Sequence, residues 1–477
     1  MAAMVETEMH ERKTSPGWTL AIVSLALFMV TLDNLVVTTA LPSIRTDLGA
    51  SLSDLEWTVN AYTLAFTVFL LPGAALGDRF GRRRLFLTGL TIFTGARAAA
   101  ALAPDTTALV AARAIQGLGA GIVAPLTLTL LSEAFPGDKR GAAIGIWSGV
   151  SGLGVALGPL VGGAVVEGIS WQWIFWINVP VGLVLLPLAT RRLAESTGPQ
   201  RALDLPGVVL AGAGLLALTY GIVEGNADGW GSAATITRIA VGVGILAAFV
   251  AWERRTKQPM LPMRFFCTRG FAATNAVSFA MYFGIFGSIF LLAQLFQAVQ
   301  GLSPLDAGLR TLPWTGMPML VAPIAGLLSD RIGSRPLMAA GLALQATAIT
   351  WLAAVQEVTT PYGDIVIPLI LGGAGMGLVF APAANAVLRS VKPEEAGQAS
   401  GATNAVRELG GVLGIAVLAA TFAHHGGYET PQAFLDGLKP ALHIGAGVLI
   451  AGALAALLVP GVERPERHAP RAAPASA

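Results

Sequence analysis

The chain has 477 residues, of which 54% are hydrophobic and 12% charged, with a net charge of +2. A soluble domain carries about 25% charge, so long uncharged runs point to a polytopic membrane protein. The near-neutral balance argues against nucleic acid as a partner, and one cysteine, Cys267, excludes an intramolecular disulfide and a thiolate metal cluster.

A helix needs roughly 20 apolar residues to span a bilayer. In chain order the apolar runs predict spans near 18–41, 55–76, 85–103, 106–131, 141–166, 172–190, 203–223 and 236–252. Six more follow near 270–298, 305–328, 336–354, 365–388, 398–422 and 441–460. The run Trp18 to Leu41 is too long for a secretory core and has no small-residue cleavage site after it, so it reads as an uncleaved first span. The longest outer loop is expected at His424 to Lys439, and the tail after residue 460 is expected to be disordered.

The charges orient these spans. With both termini in the cytoplasm, the inner loops collect Arg79, Arg82, Arg83, Arg84, Arg191, Arg192, Arg254, Arg255, Arg331 and Arg335, among others. The outer side keeps Arg45 and Lys439, with Arg238 and Arg310 near outer helix ends. This is the positive-inside pattern, and it supports an even span count.

An internal repeat divides the chain. Asp78-Arg79-Phe80-Gly81-Arg82 follows the second span, and Asp330-Arg331-Ile332-Gly333-Ser334-Arg335 follows the tenth. Two copies in matching places imply two related halves. The organisation is then a tail 1–17, a six-helix half 18–190, an inserted helix pair with its connections 191–269, a six-helix half 270–460 and a tail 461–477. Each aspartate can pair with nearby arginines and favour a helix N-terminus, so these loops are candidates for a conformational latch. The alternative is that the arginines only fix topology.

Asp33 reads as the only acid well inside the membrane in the first half. A buried carboxylate must pair, protonate or face water. Arg97 and Arg113 fall at a similar depth, each about 10 Å inside the outer boundary at the helical rise. Two readings stand: a proton-loading site whose charge is tuned by arginine, or a static ion pair that fixes packing. Arg97 can equally extend outward to the interface. In the second half, Arg407 and Glu408 lie near the inner end of the thirteenth span. Being adjacent on a helix, they need separate partners, as a gate, a second proton site or a helix-end pair. Tyr62, Tyr282, Phe286, Phe290, Gln294, Trp314 and Asn385 are candidates for lining a midplane cavity between the halves; aromatic walls suit large apolar or cationic compounds.

The segment from Gly141 to Val166 is rich in glycine, and a neighbouring backbone can approach closely along such a stripe. The series Gly145-x8-Gly154-x3-Gly158-Pro159-x2-Gly162-Gly163 resembles the antiporter motif of the major facilitator superfamily. With Trp171-x-Trp173-x-Phe175-x2-Asn178-x-Pro180 after it, the chain resembles the fourteen-span drug:proton antiporters of that superfamily. The resemblance covers roughly Trp18 to Pro460. It implies that Asp33, with Ala40-Leu41-Pro42, belongs to the family's span-1 motif. It also implies that Arg113-Ala114-Ile115-Gln116-Gly117-x-Gly119 is the span-4 motif, whose arginine is implicated in proton transfer. The Asp78 and Asp330 loops resemble its conserved switch loop. Gly326 fits the family glycine four residues before the aspartate, whereas the first copy has Ala74, with Gly73 one residue off.

The expected fold is therefore an all-α polytopic membrane protein of the major facilitator type, two six-helix halves plus an inserted pair. The resemblance implies a bacterial inner-membrane exporter that expels hydrophobic or cationic drugs in exchange for protons. A lipid or lipid-linked precursor flippase and a proton-coupled nutrient importer are the alternatives. No ATP-binding loop, hydrolase elbow or metal spacing occurs, so neither an enzyme nor a cofactor is expected.

Overall fold

The computed structural model describes residues 15–135, 139–197, 204–257, 259, 261–391 and 396–461. Both predicted tails lie largely outside this range, as do the side chain of Asp330 and the surroundings of Gly145.

The helices follow one another with short turns. They are α1 Pro16–Leu48, α2 Leu52–Phe80, α3 Arg82–Ala101, α4 Thr106–Ala134, α5 Lys139–Gly168 and α6 Trp173–Arg192. Next come α7 Leu205–Val223 and α8 Ala233–Glu253. The last six are α9 Arg269–Gln294, α10 Pro304–Ile332, α11 Ser334–Val355, α12 Tyr362–Arg389, α13 Ala396–His425 and α14 Pro431–Ala456. Among the described residues, 11 helices are long and apolar enough to cross a bilayer, and α2, bent by 48° at Pro72, makes up to 12. The other two, α3 and α5, are 20 and 30 residues long, so the array is compatible with fourteen spans.

The ends are written locally. Ser51 and Asp54 cap α2 reciprocally, Asp105 accepts from the Ala108 amide at 2.8 Å, and Gly49 closes α1 in the left-handed region at φ 63°. The last helix corrects the sequence reading. It begins at Pro431, because Thr430 caps the Ala433 amide and Pro431 occupies the first turn. Asp436 and Lys439, within the expected His424 to Lys439 loop, are therefore helical, and the preceding loop is short.

For orientation, the face carrying the Gly81 turn is called the near face and the opposite one the far face. One continuous apolar core joins the two halves toward the far face, from Leu35, Leu41 and Ile44 through Phe175 to Phe290, Trp314, Leu418 and Phe434; within the second half it continues to the near ends of the helices, at Ala273, Met338 and Val459. Toward the near face the first half has its own core, around Phe66, Phe86, Leu126 and Leu185, and the second half adds a small cluster around Phe271 and Ala399 beside its part of the main core. The halves are thus joined at one end and packed separately at the other. The inserted pair lies against the seam between α2 and α13, where Leu64, Leu215 and Val412 cluster, while Ile236, Val241 and Val243 of α8 face outward.

Candidate functional site: a buried charge cluster between closely packed helices

Asp33 lies in α1 with 0% of its side chain exposed. Its Oδ1 is 2.8 Å from an Arg97 terminal nitrogen, an ion pair without hydrogen-bond alignment, and its Oδ2 accepts from Arg113. Arg113 also donates from Nε to the Thr58 carbonyl at 3.0 Å and, from the terminal nitrogen that pairs with Asp33, to Gln116 Oε1 at 2.9 Å; it lies 4.3 Å over the Tyr62 ring. Arg97 donates to the carbonyls of Ile174 at 2.7 Å and Phe175 at 3.3 Å. With its amide turned, Asn178 accepts at 2.8 Å. Helices α1, α3 and α4 therefore bring one carboxylate and two guanidiniums together, and Arg97 points inward. The guanidiniums satisfy themselves on carbonyls that α2 and the start of α6 release toward them, which is how two cations are tolerated beside one anion.

Arg407 and Glu408 occupy the middle third of α13, rather than the helix end that the sequence reading gave them, and both are almost fully buried. Arg407 lies 5.1 Å over Phe380 and is 3.4 Å from Asn404 Oδ1, with Nε and one terminal nitrogen unpartnered among the described residues. Glu408 faces Tyr62 electrostatically across the α2–α13 seam, and its Oε2 is unpartnered among the described residues. Each neighbour on the helix thus meets a different surface.

At the near face, Asp78 accepts from Arg82 at 2.7 and 2.9 Å, and Arg82 also pairs with Glu133 of α4. Glu133 bonds Ser196, the Arg82 amide donates to the Ser196 carbonyl at 2.9 Å, and Glu195 receives the Arg83 amide at 3.0 Å. Gly81 stands at φ 105°, where side chains are strained, and a β-carbon there would sit 2.8 Å from Glu195. Gly333 repeats this backbone at φ 89°. Arg79 and Arg331 are exposed. The sequence reading found Asp78, Gly81 and Arg82 but not Glu133 or Glu195, since an acid at a helix end looks like a solvated one.

The glycine stripe has two contact faces. A β-carbon on Gly154 would meet Leu32 N and Phe28 O at 3.2 Å, one on Gly158 would meet Leu35 at 2.8 Å, and one on Gly162 the Val36 carbonyl at 2.8 Å. These rows hold α5 against α1, the helix of Asp33. Gly163 instead abuts Pro304 and Leu305, and Gly308 abuts Pro159, so the same helix also touches α10 of the other half.

The seven lining candidates have different neighbours. Tyr62 belongs to the Arg113 site, and Tyr282 and Phe286 stack at 5.4 Å near Arg407. Phe290 is in the shared core, Trp314 packs over Gly372 with Nε1 unpartnered among the described residues, and Asn385 is half-buried on α12. Gln294 bonds Tyr428 at the far face.

There the halves are tied together. Arg45 stacks 3.5 Å over Tyr428, Gln297 donates to the Thr39 carbonyl at 2.8 Å, and the Leu305 amide donates to Glu167 at 3.1 Å. Burial pushes the Tyr428 phenol up, against the opposing effect of Arg45, so it remains a neutral hydroxyl. A second buried acid also lies in the first half, which the sequence reading missed: Glu56 of α2 is 2% exposed. It stood at a predicted span boundary, where an acid gives no signal.

Comparison with known proteins follows the same architecture. The sequence profile described as Major Facilitator Superfamily matches residues 23–415 and 319–476. A tetracenomycin C resistance and export protein of Streptomyces glaucescens is 34% identical over 89% of this chain and 79% of its own length. A cephamycin export protein of Amycolatopsis lactamdurans is 40% identical over 85% of each chain. A puromycin resistance protein of Streptomyces alboniger is 36% identical over 93% of this chain and 90% of its own. Among solved structures, an auto-inhibited peptide transporter of the POT family superposes with a TM-score of 0.66 at 18% identity, covering 93% of this chain and 96% of that one. The Escherichia coli xylose transporter gives 0.63 at 16%, covering 94% and 99%.

Proposed function

The chain belongs to the Major Facilitator Superfamily, and on that premise we propose that it is a proton-driven exporter of hydrophobic or cationic antibiotics. The export and resistance proteins of comparable length support the substrate class. The observation that carries the coupling is the Asp33 carboxylate held between Arg97 and Arg113 within the membrane-spanning helices. A proton on Asp33 would leave two buried cations facing each other, so proton loading goes with separation of α1, α3 and α4. Arginine keeps its charge and serves as the counter-ion, not the carrier.

The far face is the outer one and the near face cytoplasmic in this reading. The arginines at the near ends of α2, α6, α8 and α10 support it, and both termini then lie in the cytoplasm of a bacterial inner membrane. In this reading a form joined at the far face is the one open to the cytoplasm, with the Asp33 carboxylate serving as counter-ion to Arg97 and Arg113. Drug enters from the near face, and the halves rock about the α5–α10 and α2–α13 contacts. After drug release outside, Asp33 takes up an external proton that it surrenders when the triad reforms. The glycine rows let α5 slide on α1 and α10, and the Asp78–Arg82–Glu133 network holds the near end of the first half as one body. The division at 191 and 269 makes α7 and α8 an insertion wedged on the seam.

Everted vesicles carrying a pH gradient reported by a quenched dye test this reading. Lipophilic cations and antibiotics should release the quench with wild type and not with Asp33→Asn. Release that persists in the variant removes Asp33 from the role, and no release with any compound removes drug antiport.

A further inference from the structure

Glu56 sits one turn into α2, at the far face, with its Oε2 lacking a hydrogen-bond partner among the described residues. No described cation lies within ion-pair distance of it. The charged group facing it from the inserted pair is another acid, Glu224, which is held toward α2 by a 3.0 Å bond from Ser53. From the other half it faces Tyr428, whose ring is already covered by Arg45 of α1. Asp54, on its own helix, is occupied in the cap with Ser51. The next cation along the insertion, Arg238, is engaged with Asp228 and lies over Tyr220. Closure of the far face therefore places one carboxylate in a dry junction beside a second.

We propose that Glu56 must bind a proton for the far face to close, so that external acidity favours the inward-open form. The proposal rests on proton-coupled alternating access as read above. Separating the halves at this end withdraws Tyr428 and lets water reach Glu56, which then ionises as an ordinary surface acid. Closing returns it to a site where an ionised carboxylate has neither water nor a counter-ion. The proton enters and leaves on the same side. It biases the conformational equilibrium and is not translocated, which distinguishes Glu56 from Asp33. The inserted pair thereby acquires a role, because Glu224 is its contribution to the junction.

The test reads the far-face opening directly. Spin labels at Thr46→Cys and His424→Cys, in a Cys267→Ser background, report the distance between the halves in lipid nanodiscs from about pH 5 to about pH 9, on either side of neutrality. The series is read in Asp33→Asn, because a proton on Asp33 favours the opposite form and would mask the effect. In that background the distance should shift toward the short one as pH falls. Adding Glu56→Gln, which is permanently neutral, should leave the far face closed across the range. Adding Glu224→Gln instead relieves the repulsion in the closed form, so closure should persist to higher pH by about one unit. An Asp33→Asn protein whose distances ignore pH overturns the proposal. So does an Asp33→Asn, Glu56→Gln protein that keeps the full dependence, or an Asp33→Asn, Glu224→Gln curve superimposed on that of Asp33→Asn. Transport by Asp33→Asn, measured separately, decides the coupling reading whatever Glu56 does.

Discussion

At the scale of single residues, the charge cluster combines interactions of unequal legibility. Removing one member of a buried ion pair strands the others, which costs about 3–5 kcal/mol. Arg97→Ala should therefore lower thermal stability in detergent by an amount of this order, since Asp33 Oδ1 and the carbonyls of Ile174 and Phe175 all lose their cation. An unchanged melting profile would show that water replaces it. Arg113→Lys should keep the protein folded yet reduce coupled transport by at least tenfold. A point charge cannot serve Asp33, Thr58 and Gln116 together as the planar fork does. Asp33 and Arg113 were legible because charge inside an apolar run is costly and so stands out. Arg97 was placed at the right depth by helical rise, but its direction depends on how α3 is rotated, which α3's sequence does not specify. Glu56, Glu133 and Glu195 were illegible for the opposite reason. At helix ends an acid is ordinary until the neighbouring elements are in place.

At the scale of helices, the apolar runs located the spans to within a few residues, and where they failed the cause is local. The start of α14 was missed because Asp436, Lys439 and Pro440 look like loop, although a capped, proline-opened first turn tolerates them at the end of a span. The bend of 48° at Pro72 was missed because hydropathy runs on through it. Two substitutions test what the helices require. Gly158→Leu adds a branched chain where even a β-carbon would lie 2.8 Å from Leu35. Such overpacking costs about 1–3 kcal/mol. Because it forces α5 from the helix bearing Asp33, drug transport in vesicles should be lost while membrane insertion survives; full transport would reduce the stripe to passive packing. Gly81→Ala should cost a comparable 1–3 kcal/mol through its φ of 105° and the Glu195 contact, read as a lowered melting temperature.

At the scale of the whole molecule, the repeat of the Asp-Arg-x-Gly turn made two halves visible, and the excess of near-face arginine supports the proposed orientation. Which end is closed was not written anywhere in the sequence. In the proposed cycle two forms would keep the contacts within each half and differ at the seam, and one sequence would have to satisfy both. The structure supplies that missing choice: a core continuous at the far face and divided at the near face, with Arg45 on Tyr428 and Gln297 on Thr39 bridging the closed end. If these bridges hold an intermediate of the cycle, fixing them should stop the cycle in a defined form. Arg45→Cys with Tyr428→Cys, in a Cys267→Ser background, should react with a short, cleavable thiol crosslinker. The crosslinked protein should still bind drug presented at the near face, because that side remains open. It should not move drug across the membrane, and cleaving the link should restore transport. Undiminished transport with the link intact would show that the halves need not part between α1 and the α13–α14 loop, and the far face would then have to open elsewhere along the seam.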